Sequence, residues 1–186
     1  MATTNATLAG IALAVLAAAP VEAASNVIHV RVKYSGSAVT RDADPNHDGI
    51  KPALGILTCQ SNLGRCTAQG IGEATMVGPG TCPNGHPGLK LAVIPGTGHG
   101  FTRFEKSGDM LFDEVVSETA CYDTTTGILY KSGTNRITGG TGRFEGATGQ
   151  TDFQGTQWLL YIDGDGNAFA AQTGTSTGTV VLRHQP

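Results

Sequence analysis

Charge is scarce in this chain. Asp, Glu, Lys and Arg make up 15% of its 186 residues, with 12 Lys+Arg against 15 Asp+Glu. No basic run occurs, so the electrostatic footprint of a nucleic-acid or anionic-membrane binder is missing. Nucleotide signatures are missing too. ITGGTGRFEGATGQ (137–150) holds five glycines in fourteen positions, yet no Gly-Lys-Ser/Thr occurs to make a phosphate loop. Counted from Gly140, the sixth residue is Glu145, so the dinucleotide fingerprint fails as well. The five histidines (His29, His47, His86, His99, His184) form no H-x-H or H-E-x-x-H pair for a transition metal. Helical periodicity is absent beyond the N-terminal segment. Aromatic residues are sparse, at 6%.

What is present is glycine, threonine and alternation. In VIHVRVKY, Ile28, Val30, Val32 and Tyr34 alternate with His29, Arg31 and Lys33, the pattern of a half-buried strand. Further strands are predicted over 54–60, 66–77, 88–94, 99–106, 110–122, 128–137, 151–162 and 168–183. Turns separate them at Ser107-Gly108-Asp109, Thr126-Gly127 and Asp163-Gly164-Asp165-Gly166. In the last strand Phe169, Ala171, Thr173, Thr175, Thr177, Thr179 and Val181 share one face. Gly174 and Gly178 lie on the other, where close neighbours fit. Eight or nine strands without helices specify an all-β domain, a closed antiparallel barrel or a sandwich.

The first 23 residues read as a secretory signal. Leu8 to Ala19 is an apolar run too short for a membrane span, and Val21-Glu22-Ala23 fits small-x-small cleavage, although the leading segment lacks Lys and Arg. The expectation is a single domain over 24–186, secreted or periplasmic. Four cysteines agree with export, and none forms a C-x-x-C pair. LTCQSNLGRCTA reads as a hairpin stapled by Cys59–Cys66, which leaves Cys82–Cys121.

Ile137 to Gly149, I-T-G-G-T-G-R-F-E-G-A-T-G, resembles the signature of the allene oxide cyclase and dirigent-like barrels. FTRFEKSGDMLFDEV resembles the hairpin that precedes it in that family, and TGTSTGTVVL its last strand. The likeness covers the chain from Phe101 onwards, and residues 38–90 match nothing in the family. It implies an eight-stranded antiparallel β-barrel with an apolar cavity. It further implies that Phe144 packs inward as a plug, with Gly139, Gly140, Gly142, Gly146 and Gly149 forming the turn. Plant members cyclise an unstable epoxide or steer radical coupling. Their catalytic residues have no matching motif here.

Chemistry is sought first in MLFDEVVSETACY. Strict alternation puts Met110, Phe112, Glu114, Val116, Glu118, Ala120 and Tyr122 on one face, mostly apolar with two carboxylates. If that face lines a lumen, Glu114 and Glu118 are candidate acids, with Arg103 on the preceding strand as their partner and Phe112, Tyr122 and Phe144 as ligand contacts. If the opposite face is the inner one, the glutamates are solvated. No cofactor is required. RDADPNHDGIKP offers Asp42, Asp44, Asn46 and Asp48 ahead of Gly49, half of a calcium loop. The twelfth position from Asp44, where a bidentate Glu belongs, is Gly55. Asp163, Asp165 and Asn167 read first as a hairpin turn.

Three functions compete: an exported barrel holding a small hydrophobic molecule in its lumen, a cyclase or isomerase that templates such a molecule, and a calcium-stabilised structural subunit of an extracellular assembly. A homo-oligomer is compatible with each. No nucleic acid and no membrane span after processing are expected.

Overall fold

The computed structural model describes residues 26–41 and 51–183. Signal cleavage and the acidic loop with Asp42, Asp44, Asn46 and Asp48 lie outside the described residues.

Nine strands form one sheet: β1 (Asn26–Thr40), β2 (Lys51–Ser61), β3 (Gly64–Thr81), β4 (Pro87–Val93), β5 (His99–Phe104), β6 (Met110–Asp123), β7 (Ile128–Gly140), β8 (Thr148–Ile162) and β9 (Ala168–Leu182). All pairings are antiparallel, and the β2–β3 ladder closes the ring. The expected eight-stranded barrel is present in a modified form. β4 pairs with the distal half of β3 and β5 with its proximal half, and both then pair with β6. They are two halves of one stave, so nine strands make eight staves.

The break in that stave has a local cause. Pro95 has no N–H to give to a ladder, and Gly96 turns with φ 83°. Thr97 fills the gap. Its hydroxyl accepts from the Glu73 N–H at 3.0 Å and donates to the Ile94 carbonyl at 2.9 Å, while the Val115 N–H bonds the Gly98 carbonyl at 2.9 Å. Sheet closure thus continues across an interrupted strand, with these bonds in place of part of the missing ladder.

One end of the barrel is closed. The glycine-rich stretch that follows β7 forms a single-turn 3-10 helix (Gly142–Phe144). Gly142 at φ 57° and Gly146 at φ 66° make the entry and exit in the left-handed region that a side chain disfavours. The turn drives Phe144 into the barrel end, where it is fully buried against Phe104, Leu111, Ile137 and Val180. Its ring lies 5.0 Å from that of Phe104, and the Arg143 guanidinium covers both rings from outside. Burying the phenyl group stabilises the fold by roughly 2–3 kcal/mol. The hydrophobic core is therefore concentrated at this end, and a cavity lies beside it.

Two disulfides join Cys59 to Cys66 across the β2–β3 hairpin and Cys82 to Cys121, with Cα separations of 4.9 and 5.5 Å. The second ties the β3–β4 turn to the outer face of β6. Beside it Asp123, fully buried, anchors the same turn. Desolvation pushes its carboxyl up, but hydrogen bonds from Thr126, Asn84, the Thr125 N–H and His86 outweigh that and hold it below the usual carboxylate range. Asp163 closes the β8–β9 hairpin by accepting from the Asn167 amide and from the Asn167 and Asp165 N–H groups, which is the hairpin role read from the sequence.

Candidate functional site

Above the Phe144 plug the barrel encloses a cavity of about 360 Å³. Alternation decides what reaches it. β1 supplies Val30, Val32 and Tyr34, β2 Leu57 and Cys59, β3 Cys66 and Ala68, and β4 Leu91 and Val93. This wall is apolar. On β9 the inward positions include Gly174, where any side chain would collide with the Tyr34 ring. The tyrosine lies flat in the space that the glycine leaves, and burial, with Glu118 adding to it, pushes its hydroxyl up to about 12. The outward positions of β9 are its threonines, so the face division read from the sequence holds.

The opposite wall, β6 and β7, sets polar side chains among Leu111, Val115, Ala120, Leu129 and Ile137. Asp113, Glu118, Lys131 and Asn135 line the cavity, with Gln172 beside them from β9. Lys131 Nζ donates to Gln172 Oε1 at 3.1 Å, and Gln172 Nε2 donates to the Ser37 carbonyl at 3.1 Å. Among the described residues the side chains of Asp113, Glu118 and Asn135 make no hydrogen bond, and the Asn135 Oδ1 is buried without a partner. Burial raises the Asp113 carboxyl to about 6, against a smaller lowering by His99. Burial also raises Glu118, with Lys131 opposing. The wall presents five carboxylate and amide oxygens that await hydrogen-bond donors.

A β-bulge corrects the sequence reading of this strand. The β6–β7 register runs Val115↔Asn135 and then Ser117↔Thr134, so Val116 is left without a partner and the faces exchange. Glu118 and Ala120 point inward with Asp113 and Val115. Phe112 and Glu114 point outward, Phe112 being 37% exposed. Glu114 pairs there with Arg136. Arg103 is exposed on β5 opposite Met110, so the guanidinium beside Glu114 is supplied by β7 rather than by the preceding strand. Of the three expected ligand contacts, Phe112 faces out, Phe144 is consumed as the plug, and Tyr122 lies near the turn at Gly127, outside the cavity lining. Sequence reasoning missed Asp113, Lys131, Asn135 and Gln172. Their signal, polar residues interleaved with Leu129 and Ile137 on one parity of β7, reads as solvent-facing until the barrel closes.

Gly174-Thr175-Ser176-Thr177-Gly178 spells a nucleophile elbow. It lies in the middle of β9, paired on both sides, and lacks the strand-to-helix turn that the motif requires. Among the described residues no group of three or more His, Cys, Asp or Glu is arranged to hold a metal ion, and no helix is long and apolar enough to cross a membrane.

No family model and no curated protein matches the chain. Among solved structures it is similar to the pterocarpan synthase dirigent protein GePTS1, at 16% identity and a TM-score of 0.36, over 87% of each chain. The fold assignment rests on the strand pairings described above.

Proposed function

We propose that the barrel is an exported carrier that holds one small, neutral, hydrophobic molecule in its lumen, with hydrogen-bond donors on that molecule turned towards β6 and β7. The observation that carries this reading is a largely apolar cavity with the Asp113, Glu118 and Asn135 oxygens, which have no hydrogen-bond partner among the described residues, gathered on β6 and β7. A cavity of about 360 Å³ falls within the roughly 300–1,000 Å³ of small-molecule pockets. A buried acceptor without a partner costs about 1–3 kcal/mol, which a ligand hydroxyl or N–H recovers on binding. Asp113 and Glu118 repel a ligand carboxylate, and Lys131 is already engaged by Gln172. Two disulfides agree with an oxidising compartment. An unfilled lumen argues against the structural-subunit alternative, whose barrel has no use for a cavity.

A second reading, a cyclase or isomerase, is favoured by one observation. Asp113 faces the cavity with a carboxyl raised to about 6, suited to giving a proton to a bound molecule near neutral pH. The dirigent-like resemblance of the sequence agrees with either reading.

The test is a fluorescence titration with naphthalene derivatives of one skeleton, 1-naphthol and 1-naphthoate, on the wild type and on Ala68→Trp, which fills the apolar wall. Saturable naphthol binding, weaker naphthoate binding, and loss of both in the filled variant are expected. Naphthol binding that is absent, or unchanged by Ala68→Trp, contradicts the carrier.

A further inference from the structure

The outer face of the barrel carries a second depression, about 590 Å³ in volume, which is separate from the lumen. Its lining residues fall on three neighbouring rows that run across the strands. The floor is the backbone of Ala120, Lys131, Gly155, Gly174 and Tyr34, partnered in that order from β6 through β7, β8 and β9 to β1. The side chains of this row point into the barrel, so the floor is bare backbone. One bank is the row Thr119, Ser132, Gln154, Thr175 and Lys33. The other is Lys90, Cys121, Tyr130, Thr156 and Thr173, with Pro83 above it. The banks stand two residues apart along each strand, roughly 7 Å, and the trough crosses six strands, roughly 24 Å at about 4.8 Å per step.

Three properties of this trough choose its occupant. It is long and narrow and follows the curve of the barrel wall, which suits a flexible extended polymer rather than a compact ligand. Its banks are hydroxyls and an amide with one aromatic ring, Tyr130, whose hydroxyl is held by Asn84 Nδ2 at 3.2 Å. Such banks match a polyol, because each hydroxyl both donates and accepts. Its outward charges are Lys33 at one end and Lys90 at the opposite corner, with no carboxylate in the lining, although the whole chain carries a net charge of -3. Two outward lysines with no carboxylate between them favour an anion long enough to reach both ends. Closure of the barrel leaves no strand edge along the trough for an added peptide strand.

We infer that the trough binds an acidic polysaccharide, a linear chain of uronate-type sugars laid across β6–β9, with its carboxylates at Lys33 and Lys90 and a sugar ring against Tyr130. The inference does not depend on what fills the lumen. It gives the carrier an attachment to an extracellular polyanionic matrix.

The experiment is isothermal titration of the full chain with oligogalacturonate, with neutral dextran oligomers and poly-glutamate as comparisons, at low and high salt. Oligogalacturonate binds and weakens with salt, and dextran does not bind. Each of Lys33→Gln and Lys90→Gln weakens binding about threefold and the pair on the order of tenfold, as expected for partly solvated ion pairs. Thr156→Glu, in mid-bank, abolishes it. Unchanged 1-naphthol uptake in the lysine variants shows that the barrel is intact. No oligogalacturonate binding, or binding that ignores all three substitutions, overturns the inference. Poly-glutamate binding equally tightly with the same lysine dependence overturns the sugar assignment.

Discussion

Glu114 and Glu118 stand four residues apart on β6 and face opposite sides of the barrel wall, because Val116 between them is bulged out of the ladder. Glu114 is an outer-face partner of Arg136, whereas Glu118 lines the lumen. The bulge makes the two glutamates separable by experiment. Glu114→Gln leaves lumenal ligand binding within twofold of wild type and costs about 0.2–1 kcal/mol, the range of an exposed ion pair. Glu118→Gln alters affinity and its pH dependence. Parallel ligand titrations and urea denaturation of the two variants check this.

Asp113 sets a pH dependence of opposite sense to ordinary acid denaturation. Its folded carboxyl is raised to about 6, so between pH ~4 and ~6 the folded state binds more protons than the unfolded one. Stability from this residue is therefore highest below the unfolded pKa and falls as pH rises through that window. Asp113→Asn removes the penalty, which is on the order of 3 kcal/mol at pH 7. Urea midpoints measured from pH 4.5 to 7.5 should fall for the wild type and run flatter for the variant.

Asp123 acts in the other direction. Four partners hold it ionised, so its contribution is present above the unfolded pKa and is lost as pH falls towards the depressed folded value. Asp123→Ala strands the donors of Asn84, Thr125 and Thr126. It should lower the melting temperature far more than Asp165→Ala in the exposed β8–β9 turn, as differential scanning calorimetry at neutral pH can show.

Phe144 closes the barrel, and Phe144→Ala should cost about 3–5 kcal/mol. The lost ring also opens the floor of the lumen, so a longer apolar ligand should gain affinity over a shorter one. Denaturant titration reads the first effect, and a chain-length series of alcohols reads the second.

Strand existence was legible because period-two alternation follows from the pleat, and the observed β7, β8 and β9 begin within three residues of the expected positions. The plug was legible through the resemblance of Ile137 to Gly149 to the turn of the dirigent-like barrels, which implied it. The facing of β6 was not. A bulge at Val116 leaves no mark in a run of β-branched and acidic residues, and the register with β7 reveals it. The polar wall was hidden for a related reason. Lys131 and Asn135 look like surface residues on β7 until β2 and β3 pair and close the ring around them.

A native mass spectrum of the purified protein tests the central claim most directly. The carrier reading predicts one small apolar molecule per chain, retained in gentle ionisation, released on denaturation, and missing from Ala68→Trp. Wild-type protein that runs at its bare mass, takes up no 1-naphthol and is indistinguishable from the filled variant would contradict it.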